Sequence, residues 1–88
     1  MASYEIQFKK SVAKDLRDIP NDDIKRILGR IHDLAENPRG EGCIKLSGQE
    51  RYRVRQGVYR IIYEINDSEV VVLVVKIAHR SQVYRGAK

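Results

Sequence analysis

The stretch Val70–Ala78 constrains this chain more than any other, because all of it except Lys76 is apolar and most of it is β-branched. Its unbroken part, Val70–Val75, falls far short of the ~20 residues a membrane helix needs. It therefore predicts a central strand, apolar on both faces, which requires partners from the rest of the chain. Those partners can be read upstream. Arg51–Arg55 alternates charged and apolar residues, and Tyr59–Ile65 is β-branched and aromatic. Tyr4–Phe8 alternates with period two, apolar at Tyr4, Ile6 and Phe8. Each reads as a strand. Gln56-Gly57 fits a two-residue hairpin turn and Asn66–Ser68 a second tight connection.

Between the first strand and the hairpin the period changes to that of helices. Val12, Leu16 and Ile19 share one helical face, and Pro20 ends that segment. Asn21 is placed as the N-cap of a second helix, with Asp22 and Asp23 in its first turn, where carboxylates suit the helix dipole. Ile24, Ile27, Leu28, Ile31, Leu34 and Ala35 then form an amphipathic stripe that Asn37-Pro38 stops. Arg39–Gly48, with three glycines, reads as a loop. The predicted fold is α+β, in the order β-α-α-β-β-β. Two N-terminal helices pack on a small, mainly antiparallel four-stranded sheet, and residues 1–88 form a single domain.

Charge is divided unevenly along this plan. Through residue 44 there are eight basic and eight acidic residues; from residue 45 on there are nine basic and four acidic. The whole net charge of +5 therefore falls in the second half, mostly as arginine. Arginine in excess on one part of a chain points to phosphate, because the guanidinium fork matches its geometry. The single cysteine, Cys43, excludes an internal disulfide framework and a cysteine-based zinc cluster, and fits a reducing compartment. The alternating N-terminus does not read as a signal peptide. Together these features predict a soluble, cytoplasmic, basic single domain.

Hairpin pairing sharpens the charge argument. With Gln56-Gly57 as the turn, Val54 faces Tyr59, Tyr52 faces Ile61 and Arg53 faces Arg60. Side chains alternate between faces. One face then carries Tyr52, Val54, Tyr59, Ile61 and Tyr63 for the core, and the other carries Arg51, Arg53, Arg55 and Arg60. Like charges set opposite one another are destabilising unless an anion compensates. The plain alternative is a solvated arginine face shielded by Glu50 and Glu64. Beyond the central strand follow His79, Arg80, Tyr84 and Arg85. An imidazole and a phenol beside arginines are the minimum for acid–base work on a phosphodiester, with the permanently protonated arginines stabilising charge. His32, on the polar side of the second helix, reads as inert.

The segments Lys45-Leu46-Ser47-Gly48, Tyr52-Arg53-Val54-Arg55-Gln56-Gly57-Val58-Tyr59-Arg60-Ile61-Ile62-Tyr63 and Ala78-His79-Arg80…Val83-Tyr84 resemble the RelE/ParE superfamily of bacterial and archaeal toxins, closest to the RelE branch. The likeness runs over nearly the whole chain. It implies the RelE-like microbial RNase fold and the toxin role in a type II toxin–antitoxin system. It also implies a metal-independent endoribonuclease that cleaves mRNA in the ribosomal A site through attack of a 2′-hydroxyl on the scissile phosphate. By the same resemblance Arg53, Arg55, Arg60, His79, Arg80 and Tyr84 are the catalytic candidates, and Lys45, Arg51 and Arg85 are RNA-binding. The implied partners are the 30S ribosomal A site with its mRNA, and a RelB-like antitoxin that wraps the toxin and masks the basic site. The best-known RelE proteins carry lysines where this chain has Arg53 and Arg55, which shifts the general base toward Tyr84 or His79. Two other readings use the same surface: a ParE-like DNA gyrase poison without RNase activity, and a basic RNA- or ribosome-binding module without chemistry.

Overall fold

The computed structural model describes residues 3–81 except 47 and 49. Its elements are β1 (Glu5–Phe8), α1 (Lys10–Arg17), α2 (Asn21–Glu36), β2 (Ile44–Lys45), β3 (Arg51–Gln56), β4 (Tyr59–Asn66) and β5 (Val71–His79). The strands form one sheet in the order β1-β5-β4-β3-β2, so the apolar run does lie inside it, flanked by β4 and β1. β1 runs parallel to β5, with Ile6 beside Val72, and every other pairing is antiparallel.

The sheet has five strands rather than the four expected, because the loop after α2 contains β2. Ile44 and Lys45 lie against Arg53 and Tyr52. Two residues in a loop between Gly42 and Gly48 carry no period of their own, and this strand exists because the edge of β3 offers it hydrogen bonds. The hairpin register also differs by two positions. Gln56 pairs with Tyr59, leaving Gly57-Val58 as the turn. Gly57 has φ +62°, the left-handed value a type II′ turn requires at its first central residue. A Gln56-Gly57 turn would instead have forced a glutamine into that region. The shift of two preserves the faces and changes the partners: Arg55, not Arg53, lies opposite Arg60, and Arg53 lies opposite Ile62. Smaller differences are at element ends: α2 begins at Asn21 itself, with Pro20 in the cap position.

The core lies between the helices and the side of the sheet that carries Val54, Ile61, Tyr63, Val72, Val74 and Ile77. Against these pack Val12 of α1 and Ile27, Ile31 and Leu34 of α2, all at most 2% exposed. Burying side chains of this size stabilises the fold by about 1.5–3 kcal/mol each. Tyr63 is fully buried and satisfies its hydroxyl by donating to the Pro38 carbonyl at 2.6 Å, while its ring stacks on Tyr52 at 5.8 Å. Burial, and then the Cys43 thiol beside it, pushes the Tyr63 phenol well above its ordinary pKa. A break in the β4–β5 register between Ile62 and Tyr63 leaves Val75 as an extra residue on β5. Among the described residues no helix is long and apolar enough to cross a membrane.

Candidate functional site

The side of the sheet away from the core presents the arginines. Arg55 and Arg60 face each other across the β3–β4 hairpin, and Ala78 of β5 sits on the other flank of Arg60. Arg60 is 8% exposed and is the one buried charged residue among those described. Past β5, the Arg80 backbone N–H donates to the Val58 carbonyl at 2.8 Å, which fastens this residue beside the hairpin turn. The result is a small pocket of about 60 Å³ lined by Arg55, Gly57, Val58, Tyr59, Arg60 and Arg80. Three arginines among the residues lining so small a volume suit one compact anion such as a phosphate group. Among the described residues neither Arg55 nor Arg80 has a carboxylate partner.

Of the expected residues, the structure gathers Arg55, Arg60 and Arg80 at this pocket. Arg53 stands two positions from Arg55 on the same face and lines a neighbouring cleft with it. Others are elsewhere. Arg51 is at the far end of β3, where its Nε donates to Glu64 at 2.9 Å. Lys45 pairs with Tyr52, on the core side of the sheet, and its Nζ is 3.9 Å from Glu50. The shielding carboxylates thus act at the Arg51 end and leave the pocket end basic.

His79 pairs with Tyr59 across β4 and β5 and lies edge-on to its ring at 5.6 Å. Its Nδ1 accepts the Ser81 backbone N–H at 3.2 Å and lies 2.9 Å from the Ser81 hydroxyl. One residue out of phase with Ala78 and Arg80, it belongs to the core side of the strand, because strand side chains alternate. Tyr84 and Arg85 lie outside the described residues. Tyr59, assigned to the core from sequence, also lines the pocket, and burial together with nearby Asp23 raises its phenol pKa. Arg30 of α2 was not singled out from sequence, yet it reaches the cleft beside Arg53 and Arg55. Its place on the flank of the Ile27–Ile31–Leu34 stripe carries no signal that separates it from a solvated helix residue. No group of three His, Cys, Asp or Glu residues among those described could hold a metal ion.

Comparison with known proteins agrees with this architecture. A family model described as the ParE toxin of type II toxin–antitoxin system, parDE, matches residues 6–84. The mRNA interferase toxin RelE of Escherichia coli K12 is 28% identical over 90 residues, spanning 97% of this chain and 94% of that one. Among solved structures, the archaeal RelE–RelB complex from Pyrococcus horikoshii OT3 superposes with a TM-score of 0.80 at 30% identity, covering 91% of this chain and 98% of that one. The intact E. coli RelBE toxin–antitoxin complex gives 0.77 at 25% identity, covering 88% and 96%. The helix-backed five-stranded sheet is thus that of a toxin from type II toxin–antitoxin systems. The chain belongs to the RelE/ParE toxin family.

Proposed function

We propose that this chain is a ribosome-dependent endoribonuclease that cuts mRNA in the A site, without a metal, and so inhibits translation. The observation that carries the reading is the pocket formed by Arg55, Arg60 and Arg80, sized for one phosphate group and walled by three cations. The E. coli relative named an mRNA interferase supports it. In the proposed reaction Arg55, Arg60 and neighbouring Arg53 hold the scissile phosphate and stabilise the charge that builds on its oxygens. The 2′-hydroxyl of the preceding nucleotide gives its proton to Tyr84 in its phenolate form as its oxygen bonds to phosphorus. The bond from phosphorus to the 5′-oxygen breaks, and that oxygen takes up a proton from solvent water. The products are a 2′,3′-cyclic phosphate and a 5′-hydroxyl end. Arg80 stabilises charge on the leaving oxygen, because a guanidinium does not lose its proton at neutral pH. With its side chain on the core side of β5, His79 is the weaker candidate for the base. The proposed partner is a RelB-like antitoxin, as in the solved RelE–RelB assemblies, whose acidic or amphipathic segment masks the arginine face.

The test is primer extension on mRNA from cells expressing the chain, with and without its antitoxin. New 5′ ends within translated codons are expected. Losing one donor to a transition-state oxyanion costs about 10²–10³ in rate and losing a general base about 10²–10⁴, so Arg60→Ala and Tyr84→Phe should each slow cleavage by those factors while the protein stays folded. Undiminished cleavage in both variants overturns the assignment. Toxicity that depends on gyrase alleles, with no new RNA ends, selects the gyrase-poison reading instead.

A further inference from the structure

On the other side of β3 from the phosphate pocket, and sharing Arg55 with it, lies a larger cleft of about 400 Å³ lined by Arg30, Gly42, Ile44, Arg53, Val54 and Arg55. We propose that this cleft is a nucleotide-binding subsite, in which Arg30 of the helical half, with Arg53 and Arg55, holds the RNA segment flanking the scissile phosphate. The inference rests on the endoribonuclease reading and assigns that site a second contact region.

Four observations carry it. The volume lies within the ~300–1,000 Å³ typical of small-ligand sites, whereas the phosphate pocket has no room for a base or sugar. The lining residues include three arginines and no Asp or Glu. Arg30 is fixed in place: its Nη2 donates to the Glu41 carbonyl at 2.9 Å, its Nη1 lies 3.8 Å from Asp33, and its side chain is 26% exposed. Gly42, at φ +84°, lets the loop close on it, since a Cβ there would meet Arg30 Nη2 at 3.3 Å. Finally, the cleft has an apolar wall and free backbone groups. Ile44 is 50% exposed on its rim, a surface against which a base can pack. Gln56 and Tyr59 close the hairpin, so the N–H and C=O of Arg55 and Arg53 point away from β4. β2 begins at Ile44, opposite Arg53, and leaves the outward groups of Arg55 without a strand partner.

A single residue of open edge is too little for strand addition by a peptide, which uses several successive main-chain rungs. It is enough for one donor–acceptor contact to a base edge. The charge, the apolar wall and the short edge together favour a nucleotide over an extended protein segment.

The experiment measures binding of the full-length chain to a fluorescent single-stranded RNA hexamer whose riboses are 2′-O-methylated and therefore uncleavable. Anisotropy is followed from about 50 to 200 mM salt. Arg30→Gln keeps a donor for the Glu41 carbonyl and removes the charge. Ile44→Glu places a carboxylate on the exposed rim without touching the core. Lys25→Gln, an exposed charge loss elsewhere on α2, controls for net charge. Arg30→Gln should weaken binding roughly three- to tenfold and lower the salt slope by about 0.7, the contribution of one phosphate contact on a single strand. Ile44→Glu should weaken binding at least as much, with an unchanged melting temperature. If both bind like Lys25→Gln, the subsite does not exist. If RNA affinity is unchanged while antitoxin affinity falls, the cleft is a protein-docking surface and the proposal is overturned. Loss of binding in Arg30→Gln together with full cleavage by both Arg60→Ala and Tyr84→Phe would instead overturn the catalytic assignment of the arginine pocket and leave the subsite standing.

Discussion

Asp67 is exposed, yet it holds together three parts of the chain that are far apart in sequence. Its Oδ1 accepts the Tyr4 hydroxyl at 2.8 Å and Arg39 Nη1 at 3.1 Å, and its Oδ2 accepts Arg39 Nη2 at 2.9 Å. Arg39 in turn donates from Nε to the Tyr52 hydroxyl at 3.2 Å, with its guanidinium carbon 5.6 Å from the centre of that ring. The Arg39 guanidinium, and after it the Tyr4 hydroxyl, hold the Asp67 carboxyl below the usual aspartate range. The sign of the linkage follows. A folded-state pKa that is depressed contributes stability above the unfolded value, about 3.9, and that stability is lost as pH falls through the depressed value. Asp67→Asn should therefore be less stable than the parent protein in urea at neutral pH, and the gap should narrow below about pH 3.9. A gap that stays constant down to acid pH would show that the carboxylate charge is not what Asp67 contributes. None of this clamp could be read from sequence, since its contacts span 13, 28 and 63 positions with no spacing rule to connect them. The arginine face was legible, because strand alternation forces residues two apart onto one side whatever the register. Arg30 was not, because a helix flank has no such constraint.

At the scale of elements, long periodic segments could be read and short or strained ones could not. The α2 stripe and the apolar run of β5 state their own burial, with Ile27, Ile31 and Leu34 buried as the stripe implies and Leu28 at its margin left 42% exposed. β2 has only two residues, and the hairpin register turns on which residue accepts positive φ. The start of β5 is a related case. Val70 belongs to the apolar run, yet the strand begins at Val71. Val70 ends the β4–β5 turn at φ +57°, the one non-glycine residue at positive φ among those described. The turn is held by Asn66, whose side-chain oxygen accepts the Glu69 backbone N–H at 3.0 Å and the Ser68 hydroxyl at 2.9 Å. The Val70 carbonyl accepts the Glu5 N–H at 2.8 Å, so the strained residue also receives β1. A β-branched side chain in this region costs on the order of 1–3 kcal/mol. Asn tolerates the conformation, and Val70 is only half-buried, so Val70→Asn should stabilise the protein by roughly 1 kcal/mol. The readout is thermal unfolding, where a gain of that size raises the midpoint by about 4–8 °C in a domain this small. A lower midpoint would mean that the valine's packing outweighs its strain.

Across the whole molecule, two polar attachments at opposite ends of β5 supplement the core in holding the charge-balanced helical half to the basic sheet. The Tyr4–Asp67–Arg39 clamp sits at one end. At the other, β1 has ended at Phe8 and α1 lies alongside the edge it leaves uncovered. There Asp15, whose side chain is 12% exposed, accepts the Ile77 backbone N–H through Oδ2 at 3.1 Å and the Lys76 ammonium through Oδ1 at 3.0 Å. Removing an acceptor from a largely buried backbone donor costs about 1–3 kcal/mol, so Asp15→Ala should destabilise by roughly 2 kcal/mol. Asp15→Asn, which keeps an oxygen for Ile77, should lose less. Val71 and Ile77 are six residues apart on the strand, about 20 Å, far beyond the range at which substitutions normally couple. If the helices and sheet unfold as one cooperative unit, the loss in Asp15→Ala with Asp67→Asn equals the sum of the single losses, with one unfolding transition and an unchanged denaturant slope. A double variant that shows two transitions would mean that the helical half can detach from the sheet on its own. The arginine pocket would then rest on a sheet that outlasts its helices, and the cleft that needs Arg30 from α2 would open first.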